Sequence, residues 1–231
     1  MDLSIIIPCL NEEGNIGECL KRIPQMPYET EAIVVDDGGK DRTAEIARKI
    51  KSKHLKQIRV VSYRTNKGKG YAFRKGLERA EGKVAIILDA DMTSPPEEIP
   101  KIVNPIFEGK AEFVNGSRLI YPMEKGAMKW IHIPGNRVFA LLVSLIIGKH
   151  LTDTLCGFKA FRTDMLTVDK LKEDSWMDFE LLIKAKRNNL KIIEVPIHYK
   201  ARKAGNSKMK TFSHAYNMFM MLLKALRKND F

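Results

Sequence analysis

The chain has 231 residues, 44% of them hydrophobic and 29% charged, with a formal net charge of +12. That length and apolar content fit one large α/β domain with a sizeable core. The positive balance calls for an anionic partner: nucleic acid, an anionic lipid surface or a phosphorylated substrate. Three cysteines, Cys9, Cys19 and Cys156, cannot all pair and lack the spacing of a zinc site, so a reducing compartment is expected. The opening MDLSIIIPCLNEEG carries Asp2 and a short apolar run without a basic flank, so it is not expected to act as a signal peptide.

In chain order, LSIII (3–7) reads as a buried strand, followed by a loop at 11–14 and a short helix GECLKRI. AIVVD (32–36) is a second strand, DDGGKD a turn and RTAEIARKIKSK a helix. IRVVSY (58–63), the loop TNKGKG and the helix YAFRKGLERA repeat the alternation, and VAIIL (84–88) is a fourth strand. Strands alternating with helices of about ten residues argue for βαβ units and a mostly parallel sheet flanked by helices. SPPEEIPKIV starts a helix, which Pro105 is expected to break, and EFVNGSR (112–118) is a further strand.

The second half is less regular. The apolar stretch 138–147 is too short for a membrane span, which needs about 18 apolar residues. A loop TDTLCGFKAF (152–161), a helix around DFELLIKAKRNN, a strand IIEVPIHY and a basic loop KARKAGNSKMK follow. In the last segment Phe212, Tyr216, Phe219 and Leu223 recur at helical spacing with basic flanks, predicting a C-terminal amphipathic helix. No repeat or linker divides the chain, so 1–231 is expected to form a single domain.

Carboxylates end two of the strands, as Asp36-Asp37 and Asp89-Ala90-Asp91. In an open α/β sheet the ligand crevice lies beyond the carboxyl ends of the strands. Residues i and i+2 of an extended chain face one side, so Asp89 and Asp91 can share a hard cation completed by phosphate oxygens. Alternatively, Asp91 with Thr93 or Ser94 starts the next helix. TNKGKG suits close backbone approach to a phosphate, or is a structural turn. It is no P-loop, and no G-x-G-x-x-G follows the first strand. The five histidines show no metal-ligand spacing, and His198 reads as a structural residue of a strand.

Ile7-Pro8-Cys9-Leu10-Asn11-Glu12, VVDDGGKDRT, LDAD and GSR (116–118) together resemble family 2 glycosyltransferases of the Rossmann-like GT-A fold. Asp153-Thr-Leu-Cys-Gly-Phe-Lys159, Asp178-Phe-Glu180, Glu194-Val-Pro196 and Ser207-Lys208 narrow the resemblance to the dolichyl- and polyprenyl-phosphate hexosyltransferases. The resemblance implies an inverting transfer of a hexose from UDP-glucose or GDP-mannose to a polyprenyl phosphate. Pro8, Leu10, Asn11, Glu12, Asp37, Lys67, Ala90, Arg202 and Lys208 would serve the nucleotide sugar, with Asp89 and Asp91 holding Mg²⁺ or Mn²⁺ against its diphosphate. Arg118 and Arg137 would meet the acceptor phosphate. Thr93 stands where mannose synthases commonly carry a glutamine near the metal. NKGKGYAFRKG and DTLCGFK lean toward the glucose branch.

A lipid phosphate is already an anionic nucleophile, so the chemistry reduces to positioning it and stabilising the departing diphosphate. Arg202 and Lys208, in a glycine-containing basic loop, are candidates to close over the donor. If the acceptor were a glycan hydroxyl, a base would be needed, and Asp178 is the candidate; its other reading is a helix N-cap. Segments 129–150 and 210–228 are candidate membrane-interface elements of a peripheral enzyme on the cytoplasmic face, or else pack on the core or on a partner subunit. A basic nucleic-acid-binding protein is the remaining alternative. No nucleic-acid motif supports it, and acids cluster where its ligand would lie.

Overall fold

A computed structural model describes residues 1–166, 171–172, 174, 177–202, 220–223 and 225. The strands are β1 (Leu3–Cys9), β2 (Thr30–Asp37), β3 (Gln57–Tyr63), β4 (Val84–Ile87), β5 (Phe113–Ser117), β6 (Lys159–Arg162) and β7 (Ile192–Pro196). The helices are α1 (Ile16–Lys21), α2 (Thr43–Lys49), α3 (Lys69–Leu77), α4 (Ile99–Phe107), α5 (His132–Ile147) and α6 (Met177–Arg187). Among the described residues these seven strands join one sheet in the order β3-β2-β1-β4-β6-β5-β7.

β1 pairs in parallel with β2 on one side and β4 on the other, so the chain's direction of winding reverses between β1 and β4. That switch point is where a crevice opens beyond the strand ends. The core follows from the two-residue period of the strands. Ile5 and Ile7 of β1 join α1, α2 and α4 through Leu20, Ala47 and Ile102 on one face. Ile6 points the other way, to Phe73 of α3, Phe139 of α5 and Phe179 of α6. Strands buried on both faces read as continuous apolar runs, which is why β1, β2 and β4 are so plain in the sequence.

Three expectations need correction. The segment 152–161 is not all loop: its end forms β6, antiparallel to both β4 and β5. β6 is four residues with a lysine and an arginine in it, so it carries no strand pattern of its own and forms only because two neighbours hold it. Pro105 does not break its helix, since α4 runs through it to Phe107. The proline sits in the last turn, where one lost hydrogen bond is offset by burial of Ile102, Val103 and Ile106. His198 lies beyond the end of β7, exposed, with its ring Nδ1 2.9 Å from Glu98 Oε1.

The C-terminal amphipathic segment lies mostly outside the described residues. Its described helical part packs Met221, Leu222 and Ala225 against the α5–α6 face of the core. Among the described residues no helix is long and apolar enough to cross a membrane.

Candidate active site

A cleft of about 490 Å³ opens at the ends of β1, β2 and β4. Pro8, Leu10 and Glu12 come from the loop after β1, Asp37 from β2, and Asp89, Ala90 and Asp91 from the end of β4. Arg118, Asp178 and Arg202 also line it. Ten of the residues picked from the sequence therefore meet in one place.

Three others do not line it. Asn11 is exposed at φ 55° and its Oδ1 accepts a hydrogen bond from Lys40 N–H at 2.8 Å, so it shapes the loop. Lys67 lays its ammonium 4.6 Å from the centre of the Tyr71 ring. Arg137 lies exposed on α5. Lys208 falls outside the described residues.

The glycine loop after β3 lines the cleft through Asn66 and Gly68 and is fastened by its backbone. Lys67 and Gly68 donate their backbone N–H groups to the two oxygens of Asp37, both at 2.8 Å. The amides that seemed free for a phosphate thus tie this loop to the end of β2. Gly38, at φ +70°, makes the contact possible: a Cβ there would lie 2.5 Å from Asn66 N. A Gly38→Ala substitution is expected to destabilise the protein by about 1–3 kcal/mol. Thermal melting would check it, and an unchanged midpoint would refute the constraint.

The same loop supplies the residue that the sequence reading passed over. Gly68, at φ +100°, starts α3, and Lys69 is that helix's first residue. A lysine near the positive end of the helix dipole is unfavourable unless carboxylates hold it. That position, between two glycines and a helix, was the available signal. Lys69 Nζ stands 2.7 Å from Asp89 Oδ1 and 3.8 Å from Asp178 Oδ2. Burial alone would lower its pKa, but Asp178 and Asp89 outweigh that and hold it up. Burial likewise pushes Asp89 up, and the Lys69 ammonium, helped by Arg118 and Arg202, more than reverses the effect, so the carboxyl stays below its usual range.

Asp91 is almost fully buried. Its Oδ1 accepts from Thr93 N–H at 3.0 Å and Thr93 Oγ1 at 2.9 Å, and its Oδ2 from Arg202. Asp91 therefore shapes a turn with Thr93 and does not start a helix, since the next helical turn begins at Pro96 with Pro95 before it. Arg202 also reaches to 3.8 Å from Glu12 Oε1. Asp178 lies inside the first turn of α6, which begins at Met177, and so is not its N-cap. Its Oδ1 is buried and accepts no hydrogen bond from the described residues. Gly157 leaves room over this cluster: a Cβ there would lie 2.9 Å from Asp89 Oδ2 and 2.7 Å from Lys69 Nζ.

The donor set suits a divalent cation held together with a substrate. Asp89 and Asp91 offer hard oxygens two residues apart, and the space beside Asp89 Oδ2 is kept open by a missing side chain. Among the described residues no group of three or more His, Cys, Asp or Glu would hold a metal unaided. Magnesium commonly takes one or two carboxylates and completes its shell with phosphate oxygens and water.

Arg118 follows β5 and lines the same cleft. It forms a two-pronged pair with Asp153, Nε to Oδ2 at 2.6 Å and Nη2 to Oδ1 at 3.0 Å, and packs 5.2 Å over the Tyr199 ring. The pair uses two of the five guanidinium donors. Nothing in the sequence marked Tyr199.

A mixed sheet of this order, with paired carboxylates and counter-cations at its switch point, defines the GT-A class of sugar transferases, and the chain belongs to glycosyl transferase family 2, whose model matches residues 4–169. It is 33% identical over 214 residues to the dolichyl-phosphate hexose transferase of Haloferax volcanii, covering 92% of this chain and 88% of that protein. It is 32% identical over 220 residues to the dolichol-phosphate mannosyltransferase of Pyrococcus furiosus, covering 91% of this chain and 60% of that one. Among solved structures, glucosyl-3-phosphoglycerate synthase from Mycobacterium tuberculosis, in complex with Mn²⁺ and uridine diphosphate, has a TM-score of 0.70 at 22% identity. That match covers 97% of this chain and 78% of the other, and the likeness is one of fold.

Proposed function

We propose that this family 2 glycosyltransferase moves a hexose, with inversion, from a nucleotide sugar to a polyprenyl phosphate at a membrane surface. The observation that carries this reading is that one cleft holds both halves of the chemistry: carboxylates with their counter-cations after β4, and after β5 an arginine clamped by Asp153. Relatives over most of the chain are named for transfer to dolichyl phosphate.

In this reading Pro8, Leu10 and Glu12 wall the nucleoside, and Asp89 and Asp91 would hold Mg²⁺ or Mn²⁺. A bound divalent ion supplies charge stabilisation for the departing diphosphate. Arg202, now paired with Asp91, is placed to shift onto phosphate oxygens once the carboxylate is engaged elsewhere. Lys69 keeps Asp89 ionised and in place. Arg118 presents its remaining N–H groups to the acceptor phosphate, which needs no base and only in-line placement. The sugar can be either glucose or mannose on these grounds. Incubation with each labelled nucleotide sugar and a polyprenyl phosphate tests the reading: the product must partition into organic solvent.

Asp178 separates this reading from one with a glycan hydroxyl acceptor. Its unpartnered Oδ1 would suit a base. With a phosphate acceptor, Asp178→Asn is expected to retain turnover to within about tenfold, well short of the 10²–10⁴-fold that a general base contributes. A loss beyond a thousandfold would favour the hydroxyl acceptor.

The membrane side of the proposal rests on α5. Its inner face buries Phe139, Val143 and Ile147, yet Val138, Leu141 and Leu145 are exposed, the last by 73%, and Trp130, just before the helix, is 80% exposed. An apolar patch flanked by Lys129 and Arg137 suits the interface of an anionic bilayer. The wild-type protein is expected to float with anionic vesicles at low salt, and a Leu141→Glu/Leu145→Glu variant to stay behind. Equal flotation of the two would remove α5 as the contact.

A further inference from the structure

We infer that Glu194 is a positioning residue for the acceptor phosphate: from β7 it fixes the segment that aims Arg118 into the cleft. This rests on the reading above that Arg118 meets that phosphate. Glu194 pairs in register with Asn115 of β5, and the two side chains meet. Its carboxylate accepts from Thr152 N–H at 2.9 and 3.0 Å, Thr152 Oγ1 at 2.8 Å, Asp153 N–H at 3.2 Å and Asn115 Nδ2 at 3.1 Å. One side chain therefore holds the backbone of two successive residues, and the second of them is the arginine's partner.

Asp153 is fully buried, and the geometry leaves it little choice of direction. Its Oδ2 accepts from both Arg118 Nε and the Arg118 backbone N–H, the latter at 3.1 Å, while Oδ1 takes Nη2 and Leu155 N–H. Lys159, also fully buried, donates to Asn115 Oδ1 at 2.7 Å and to the Cys156 carbonyl. Two carboxylates and two cations thus close a network that fixes the guanidinium plane. A rigid fork loses less freedom per bond formed to an oxyanion, so its placement governs acceptor affinity. None of Glu194's hydrogen bonds reaches Glu12, Asp37, Asp89 or Asp91. A purely structural glutamate would affect both substrates together, whereas this one should affect the acceptor alone.

The test is steady-state kinetics with a short-chain polyprenyl phosphate in detergent and whichever of UDP-glucose and GDP-mannose supports turnover. Glu194→Ala is expected to raise the acceptor KM tenfold or more with the donor KM within threefold of wild type. Glu194→Gln keeps a carbonyl oxygen for the Thr152 and Asp153 amides and is expected to restore the acceptor KM to within threefold. If Glu194→Ala does not fold, Thr152→Val, which removes the hydroxyl's bonds to Glu194 and to Ser117 Oγ but keeps the backbone N–H link, is expected to raise the acceptor KM threefold or more at an unchanged donor KM. Parallel rises in both KM values, an unchanged acceptor KM, or a Gln variant no better than the Ala variant would each overturn the inference. Arg118→Ala is the control. An unchanged acceptor KM there, or no transfer by the wild type, overturns the acceptor reading and this inference with it.

Discussion

Asp91→Ala is expected to cut kcat/KM for sugar transfer by about a thousandfold in a protein that still folds. The residue does three things at once. It is one of two carboxylates at the end of β4, it fixes Arg202, and it anchors the turn through Thr93. Electrostatic stabilisation by a held cation supplies several kcal/mol to such a transition state. At 1.36 kcal/mol per tenfold, about 4 kcal/mol corresponds to a thousandfold. Asp91→Asn keeps the shape and the hydrogen bond from Thr93 but loses the charge, so it should fall nearly as far. Asp89→Ala should behave alike, with Lys69 left facing Asp178 alone. Activity is read as organic-extractable product in Mn²⁺. Retention of more than a tenth of wild-type kcat/KM in either alanine variant would contradict the assignment.

Asp153→Ala is expected to be the most destabilising change near the site. It removes a fully buried carboxylate and strands Arg118. Breaking a buried pair costs about 3–5 kcal/mol. Arg118 keeps 13% of its side chain exposed to the cleft, which favours the lower end, about 3 kcal/mol. For a protein of this size that is a fall of about 6–12 °C in melting temperature. The pH dependence has a definite sign. Arg118 holds the Asp153 carboxyl below its usual range despite burial. The pair's stabilisation is therefore complete above the unfolded carboxyl pKa of about 3.9 and is lost as pH falls through the lower folded value. The wild type should lose stability steeply below pH 4 and Asp153→Asn less so. Parallel acid limbs would show that the pair contributes nothing.

The sheet was legible because its inner strands are buried on both faces, and such strands announce themselves as apolar runs ending in polar residues. LDAD and VVDD could be placed at the crevice for the same reason. Lys69 escaped notice because charge at a loop reads as solvated surface unless its partners are known, and those partners lie 20 and 109 residues further along the chain. β6 and the Asp153–Glu194 network escaped for a related reason. Lys159 looks like a surface residue, and only its neighbours on β5 and in the loop before β6 let it be buried. Asp37 has a second task that its place at a strand end did not announce. It lines the cleft, and both its oxygens also accept from the loop after β3.

The most direct test is calorimetric titration of the protein with UDP-glucose and GDP-mannose, in Mn²⁺ and again in chelator. A cleft built around Asp89 and Asp91 should bind at least one of them in Mn²⁺, and at least tenfold more weakly once the metal is removed. Equal affinity in chelator, or no binding of either, would contradict a cation-dependent donor site at the end of β4.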